Sequence, residues 1–500
     1  MKIAKKYKQY TAALFFITLA VVGIEACKTD DLELTNPNEL SPETFLQNEV
    51  QVQSAVNAAY ANLQTRGLWV RHMFFMMDNM SHENAGNSQL EADKKQYLDF
   101  SFDASHGAIR AYWESCFRGI NKANYVIANA EQIDAIAEMS GATKAKFIGE
   151  ARFLRAFYYF LLVTRFGDVP LITTIPEDGQ GFPRSPAEQI YQEVIIPDLQ
   201  EATTALLSKD EEQPGRATSE AAYAVLGKVH LYREEYTLAR DAFNEIMDDF
   251  SLAADYGDNF LEETEHNEES ILEIEFDVAL GQGSKWDSDV SGAGQNEVTF
   301  RGQEYGWNDW FNVYPSDDLL DEYEEDDPRY TASFYANDDL FNNGQDTVAI
   351  PSGRRAAWKK YQNYYKREHE NTDSGINFRV IRYADVLLMM AEIENELGNI
   401  PQAVDYLNQV RDRVGMPNYG TPEMDTMYPV STQQEVFNAI VHERKVELAG
   451  EQVRFPDLVR WGMGDQIPNF EVGKHEVFPI PLAEITANAS ISQADQNNGY

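Results

Sequence analysis

The stretch from Glu150 to Leu171, EARFLRAFYYFLLVTRFGDVPL, constrains the fold of this chain more than any other. Between Ala151 and Phe166, its clearly polar residues are Arg152, Arg155, Thr164 and Arg165. A helix that is apolar around most of its circumference is buried inside a larger protein. The run is shorter than the ~20 residues that span a bilayer, and Gly167 and Pro170 indicate its end. The sequence therefore predicts a buried central helix whose three arginines meet carboxylates or neighbouring carbonyls.

The N-terminus has the pattern of an export signal. Four lysines precede the uncharged apolar run Ala12–Ile24, which predicts a secretory signal peptide over residues 1–26. Ile24-Glu25-Ala26-Cys27 resembles the lipobox of bacterial lipoproteins, although Glu25 departs from it, and Asp30-Asp31 resembles the surface-export signal of Bacteroidetes lipoproteins. We expect a lipid on Cys27 to anchor the chain to a membrane, followed by a tether over residues 27–44. The alternative is an ordinary cleaved signal followed by a free thiol.

Composition limits the classes of partner. The chain has 82 acidic and 41 basic residues, for a net charge of −41. This balance leaves no basic stripe, so nucleic acid and anionic lipid surfaces are poor partners, and a neutral ligand is expected. With 43% hydrophobic residues the chain can bury a large core. Apart from Cys27 the only cysteine is Cys116, so no disulfide framework is predicted.

Helical patterns dominate the chain. Ser219–Met247 has the spacing of a tetratricopeptide unit, in which small residues let two antiparallel helices approach closely; the matching residues are Tyr223, Leu226, Gly227, Ala239 and Phe243. Tyr383–Arg411 repeats the scheme less closely and also fits any amphipathic helical hairpin. Further helices are predicted over Glu49–Gln64 and Ala108–Ile133, whereas Arg71–Phe102 has an irregular, polar pattern. The predicted fold class is mainly α, an α-α superhelix of tetratricopeptide-like pairs.

The middle of the chain has a different character. Residues 255–377 contain one strand-like run, Ser270–Phe276, and long stretches rich in Gly, Ser, Asp and Asn. We interpret this segment as a loop-rich insertion with short strands, placed on a helical body of residues 45–254 and 378–470. Residues 471–500 form a C-terminal tail without a long helix. Loops held by a rigid scaffold are where binding is usually placed, so the insertion is the expected location of a site.

Five blocks in order resemble the SusD/RagB family of Bacteroidetes outer-membrane lipoproteins. They are Glu150–Leu171, Val380–Glu392, Asn408–Pro417, Glu443–Gly462 with its Asp-Leu-x-x-Trp-Gly ending, and Phe478–Ile485 together with Gln496–Tyr500. The departures are Gly450, where an aromatic is common, and Val453–Pro456, which replaces a His-Arg-Trp-Phe-like segment. The resemblance implies a lipidated outer-membrane protein facing the exterior. Such a protein binds a nutrient, often a glycan, and caps a SusC-type TonB-dependent transporter.

Sugars expose flat C–H faces ringed by hydroxyls, so a glycan site needs exposed aromatic faces beside amides, carboxylates and guanidinium groups. Two regions supply this mixture, and in the family they commonly face each other across the binding surface. The candidates in the insertion are Trp286, Tyr305, Trp307 and Trp310. Those in the polar segment Trp69–Phe102 are Trp69, Asp78, Asn79 and Tyr97, with Asn84 as a further amide. Core packing or a solvated loop is the competing interpretation for each.

Signals for metals and catalysis are weak. His72 and His82 lack recognised ligand spacing, and Asp339–Gly344 matches a calcium loop only in part because Phe341 occupies a ligand position. No metal or cofactor is predicted, although calcium on the acidic surface stays open. The chain has no Gly-x-Ser-x-Gly, His-Glu-x-x-His or phosphate-loop motif, so a non-enzymatic binding protein is expected. The alternatives are an α-helical glycoside hydrolase and a tetratricopeptide-type peptide-binding adaptor.

Overall fold

The computed structural model describes residues 45–176, 179, 181–280 and 297–500, so Cys27, the tether and Trp286 lie outside the described residues. Residues 48–500 form one compact unit. Its α-helices, in chain order, are α1 Glu49–Tyr60, α2 His72–Met80, α3 Ala92–Asp99, α4 Gly107–Ala128, α5 Ala130–Asp134, α6 Gly141–Phe166, α7 Ala187–Ile190, α8 Ile196–Ala205, α9 Ser219–Tyr232, α10 Tyr236–Asn244, α11 Arg301–Tyr305, α12 Asp317–Leu320, α13 Pro328–Ser333, α14 Tyr383–Glu396, α15 Ile400–Val414, α16 Gln433–Glu447, α17 Arg454–Arg460 and α18 Leu482–Ala487.

The strands are short and pair in twos. They are β1 Asn84–Gly86, β2 Val169–Pro170, β3 Arg184–Ser185, β4 Ser270–Ile274, β5 Val313–Pro315, β6 Phe334–Tyr335, β7 Leu340–Phe341, β8 Asp346–Thr347, β9 Ala357–Trp358 and β10 Phe378–Arg382. All pairs are antiparallel: β1 with β5, β2 with β3, β4 with β10, β6 with β9, and β7 with β8. Across the described residues the fold is mainly α, as predicted.

The central helix α6 is buried over most of the predicted apolar run. It begins at Gly141, earlier than the apolar run, because the Ser140 side chain caps its N-terminus by accepting a hydrogen bond from the backbone N–H of Thr143. Its arginines meet the partners that the sequence predicts. Arg152 and Arg155 donate to Asp198 of α8, at 2.8 and 2.7 Å, and Arg165 donates to the carbonyl of Thr164 at 3.0 Å.

The two predicted helical pairs are present. In the first, α9 packs on α10 with the Phe243 ring against Gly227, where a Cβ atom would lie 2.8 Å from the ring. In the second, α14 packs on α15, and α14 also packs on α10, so the pairs stack side by side. Small residues at the contact thus permit the close approach on which the tetratricopeptide spacing depends.

The segment Arg71–Phe102 is not irregular, and this prediction is wrong. It contains α2 and α3, and every residue of α2, HMFFMMDNM, is buried. Its polar residues do not mark a loop, because they have partners in the interior: Asn79 bonds to Asn84 within the segment, and Asp78 bonds to the distant Tyr305. The tail, by contrast, carries only the short α18 among its regular α-helices, as expected. No described helix is both long enough and apolar enough to cross a membrane.

Buried arginines join the middle segment to the helical body. β4 pairs with β10, which leads directly into α14. Arg382, at the end of β10, lies 2.6 Å from a carboxylate oxygen of Glu269, 2.6 Å from one of Glu447 and 2.7 Å from one of Glu451. Arg444 is likewise buried between two carboxylates, Asp385 at 2.8 Å and Asp457 at 2.7 Å.

Candidate binding surface

The N-terminal segment and the middle segment meet through β1 and β5. Asn84 is opposite Pro315, and Gly86 is opposite Val313. Just beyond β1, the backbone N–H of Asn87 donates to the carbonyl of Asn312 at 2.9 Å, and its side-chain amide donates to that of Phe311 at 2.9 Å. The two segments that the family resemblance places across a binding surface are therefore hydrogen-bonded to each other.

Beneath this junction, the three residues predicted to bond sugar hydroxyls, Asp78, Asn79 and Asn84, form a buried network with Tyr305, which the sequence predicts as an aromatic ligand contact. The Tyr305 hydroxyl donates to Asp78 at 2.8 Å. The Asn84 amide donates to the Asn79 side-chain oxygen and to the Tyr305 hydroxyl, each at 2.9 Å. Burial raises the pKa of Asp78, while Arg301, at 3.3 Å, and the Tyr305 hydroxyl oppose that shift.

This geometry corrects five of the ligand predictions. Asp78, Asn79 and Tyr305 are fully enclosed, and their polar groups are used in holding the segments together. Trp69 is buried with its ring stacked on Phe157 at 6.0 Å between centroids. Tyr97 is buried beside His106, at 4.9 Å between ring centroids. None of the five presents a surface to a ligand, so we assign them to the protein interior.

Trp310 is the exposed aromatic of this region, with 42% of its surface accessible. It lies on the loop between α11 and β5, where its backbone N–H donates to the carbonyl of Gln303 at 3.1 Å. Trp307, on the same loop, is half-buried, with its ring edge-on to Phe341 at 5.2 Å. Trp310 therefore keeps the accessible face that the sequence predicts, while Trp307 mainly packs under the loop.

Asp309 and Tyr364 fix the conformation of the loop. Asp309 accepts hydrogen bonds from the Tyr364 hydroxyl at 2.6 Å and from the backbone N–H of Glu370 at 2.8 Å. Burial and Asp309 raise the pKa of Tyr364, which keeps its hydroxyl a donor. Gly306 is required for this approach, because a Cβ atom there would lie 2.3 Å from the Tyr364 hydroxyl. Trp310 is thus carried by a loop with few alternative conformations.

Polar side chains border the same loop. We define the Trp310 surface as Asn87, Asn308, Trp310, Tyr314, Arg354 and His369. The Arg354 guanidinium lies over the Tyr314 ring, 4.1 Å from its centroid, and the Tyr314 ring lies 5.9 Å from that of Phe311. His369 is exposed, with Nδ1 3.2 Å from the carbonyl of Asn308. The loop and the segments bonded to it thus carry an exposed indole together with amide, imidazole and guanidinium groups, which is the mixture that sugar hydroxyls and C–H faces need.

Sequence reasoning missed Tyr314, Arg354 and His369. The available signal was that Arg354 opens a locally basic run, residues 354–367, in an otherwise acidic chain. Two carboxylates beside the surface do not act as a free acid–base pair. Asp309 accepts the hydrogen bonds that hold the loop, and buried Glu370 pairs with Arg367 at 2.9 Å.

Comparisons with known proteins agree with this architecture. Residues 268–473 match the SusD family, and residues 30–231 match a family described as starch-binding and associating with the outer membrane. A curated SusD-like protein of Formosa agariphila is 27% identical over 544 residues, covering 99% of this chain and 100% of the relative.

Solved structures share the fold. A laminarin-binding SusD-like protein aligns with a TM-score of 0.75 and 27% identity, over 91% of this chain and 100% of that one. A SusD superfamily protein of Bacteroides vulgatus has a TM-score of 0.77 at 24% identity, over 91% and 100% of the two chains. With both halves matched in order and the fold shared, the chain belongs to the SusD/RagB family of glycan-binding proteins that associate with the outer membrane.

Proposed function

We propose that this protein holds a glycan on the Trp310 surface, outside the outer membrane, and delivers it to a SusC-type TonB-dependent transporter. The observation that carries the proposal is an exposed indole on a loop fixed by Asp309 and Tyr364. Such a loop loses little conformational entropy when a ligand stacks on Trp310, which favours binding. The lipid on Cys27 would keep the surface near its transporter.

A neutral glucan is the ligand class that fits best. The net charge of −41 disfavours uronate or sulfate groups through long-range repulsion. Laminarin, a neutral β-glucan, is the ligand of a structural relative that covers 91% of this chain. The surface offers stacking on Trp310 and hydrogen bonds to neutral hydroxyls from Asn87, Asn308 and Arg354. We therefore propose a β-glucan of this type, with an acidic polysaccharide such as alginate as the contrasting probe.

Replacing Trp310 with alanine should weaken laminarin binding, as measured by isothermal titration calorimetry. Loss of a central tryptophan from a binding surface costs ~2 kcal/mol, which is about 30-fold in Kd. Trp461→Phe is the control, because Trp461 bonds to Glu392 in a separate groove formed with Tyr232 and Phe437. If the two variants bind laminarin equally, the Trp310 surface is not the site.

Trp286, which lies outside the described part of the chain, offers an independent test of glycan binding. Its glycine-rich neighbours predict an exposed indole, so Trp286→Ala should also weaken glycan binding by about tenfold or more. The unfolding midpoint should stay unchanged. Unaltered calorimetric affinity would remove Trp286 from the site without affecting the assignment of Trp310.

Two assays separate the proposal from its alternatives. Long incubation of the protein with polysaccharides, followed by product analysis, would reveal a glycoside hydrolase through released oligosaccharides. Binding of peptides that laminarin does not displace, and that Trp461→Phe weakens, would instead support a peptide-binding adaptor. Binding of laminarin without products or peptide competition is the result we expect.

A further inference from the structure

A histidine and two glutamates converge beside β4, away from the Trp310 surface. Glu273 lies in β4, Glu275 follows just beyond its end, and His266 lies in the preceding loop. One potential ligand atom from each lies within 4.8 Å of the other two. We propose that His266, Glu273 and Glu275 bind a divalent transition-metal ion, and that zinc is the ion their ligand atoms fit.

The separations suit such an ion. His266 Nε2 lies 3.2 Å from Glu275 Oε1, and His266 Nδ1 lies 3.8 Å from Glu273 Oε2. Zinc bonds of ~2.0 Å in a tetrahedral arrangement place neighbouring ligand atoms about 3.3 Å apart. The separation of His266 Nε2 from Glu275 Oε1 matches one edge of that tetrahedron. An ion bound through Nε2 requires the Glu273 carboxylate to move towards that nitrogen, because its 3.8 Å contact is with the other ring nitrogen, Nδ1. One imidazole nitrogen with carboxylate oxygens favours zinc over calcium, which prefers oxygen ligands throughout.

Surrounding groups hold the carboxylates in place. Glu273 is buried, and one of its oxygens accepts a hydrogen bond from the backbone N–H of His266 at 3.0 Å and lies 3.3 Å from Arg379 Nε. Oriented ligands of this kind are typical of metal sites. A third carboxylate lies nearby, where Glu265 accepts a hydrogen bond from the backbone N–H of Asn377 at 2.7 Å.

The cluster is also accessible. His266 and Glu275 are both partly exposed, and the two glutamates line a groove of about 220 Å³ that also contains Tyr60 and Arg216. A hydrated ion can therefore reach the carboxylates without unfolding of the surrounding elements. An excess of negative charge at an accessible position attracts cations.

Asn377 competes for the same oxygens. Its amide nitrogen donates to Glu273 at 2.9 Å and to Glu275 at 3.0 Å, while its amide oxygen accepts from the backbone N–H of Phe276 at 2.6 Å. A bound ion must displace the amide nitrogen. Asn377→Asp keeps an acceptor for Phe276 and replaces the donor with a carboxylate oxygen, so it should tighten zinc binding.

Isothermal titration of the untagged full chain with zinc sulfate tests the proposal. We expect one equivalent of zinc to bind the natural protein, weakened about tenfold or more by His266→Ala or Glu275→Gln and tightened by Asn377→Asp. His369→Ala is the matched control, because His369 also lies near carboxylates, at 3.9 Å from Asp309 and 3.7 Å from Glu368.

Anomalous diffraction at the zinc edge locates the ion, with a peak expected between His266 and Glu275. The proposal is overturned if the natural protein binds no zinc, if the peak lies elsewhere, or if His369→Ala lowers the affinity as much as His266→Ala. If the cluster serves only as a hydrogen-bond network, the natural protein will bind no zinc. Glycan binding by the Trp310 surface is measured separately and is not required for the zinc result.

Discussion

Replacing Arg382 with methionine should lower the free energy of unfolding by about 4 kcal/mol, because three buried carboxylates lose a cation that they share. Arg382 is buried and lies within 2.7 Å of oxygens from Glu269, Glu447 and Glu451. Methionine has a similar length and fills much of the same space. The expected loss therefore comes from three carboxylates that lose a shared cation rather than from a cavity.

Urea unfolding followed by tryptophan fluorescence measures this loss as a shift of the midpoint at constant slope. Arg355→Met is the matched control, because Arg355 also pairs with two carboxylates, Asp317 at 3.5 Å and Asp321 at 2.6 Å, but its side chain is 48% exposed. An exposed pair contributes about 0.5 kcal/mol. If Arg382→Met prevents folding, Arg382→Lys can replace it. Lysine keeps the positive charge but lacks the two-pronged guanidinium group, so it should lower the free energy of unfolding by less than methionine does. Equal midpoints for Arg382→Met and Arg355→Met would contradict the prediction.

The cluster around Glu447 explains why one arginine matters so much. Glu447, in α16, also forms ion pairs with Arg329 of α13, at 3.2 Å, and with Arg413 of α15. Arg329 and Arg382 flank the segment between α13 and β10, which carries β6 to β9, so their ion pairs to α16 fasten that segment to the helical body. Neutralising Arg382 weakens one of these two attachments while leaving the other in place.

The helical part of the fold was predictable because its signals are local. The apolar run of α6, and the spacing of the small residues Gly227 and Ala239, indicate how each segment packs from residues that lie close together in sequence. The segment containing α2 was misread for the opposite reason. Asp78 looks like a loop residue, yet its partners, Arg301 and Tyr305, are distant in sequence. Periodicity contains no information about such long-range pairing.

The candidate site was only partly predictable for the same reason. Aromatic residues among Gly, Asn and Asp identified the loop that carries Trp310, and its exposure is as expected. The same reasoning selected Tyr305, which lies five residues before Trp310 and is buried in the structure. Composition indicates which segment is variable and polar, but the direction of each side chain depends on the pairing of β1 with β5. Arg354 and His369 join the surface through that tertiary arrangement alone.

Replacing Glu83 with glutamine should stabilise the protein at pH 8 and leave its stability at pH 4 nearly unchanged. Glu83 is buried, and burial together with nearby Asp78 raises its pKa to about 8. One of its oxygens has no hydrogen-bond partner among the described residues. An acid with a raised pKa in the folded state binds its proton more tightly there than when unfolded. Its contribution to stability is therefore complete below its unfolded pKa of about 4.3 and is lost as the pH rises towards 8.

Glutamine resembles the protonated carboxyl group, so the gain from Glu83→Gln should grow between pH 5 and 8 and reach about 4 to 5 kcal/mol. Glu443→Gln provides a control of opposite sign. Glu443 is buried between Arg329 and Arg411; burial raises its pKa, but those arginines outweigh that effect and leave the pKa below its usual range. Its ionised form stabilises the fold above the unfolded pKa, so Glu443→Gln should destabilise the protein at pH 7 and progressively less at lower pH. Urea midpoints of both variants at pH 5 and pH 8 give the comparison. A loss of stability in Glu83→Gln that is equal at the two pH values would show that Glu83 is ionised and paired in the folded protein.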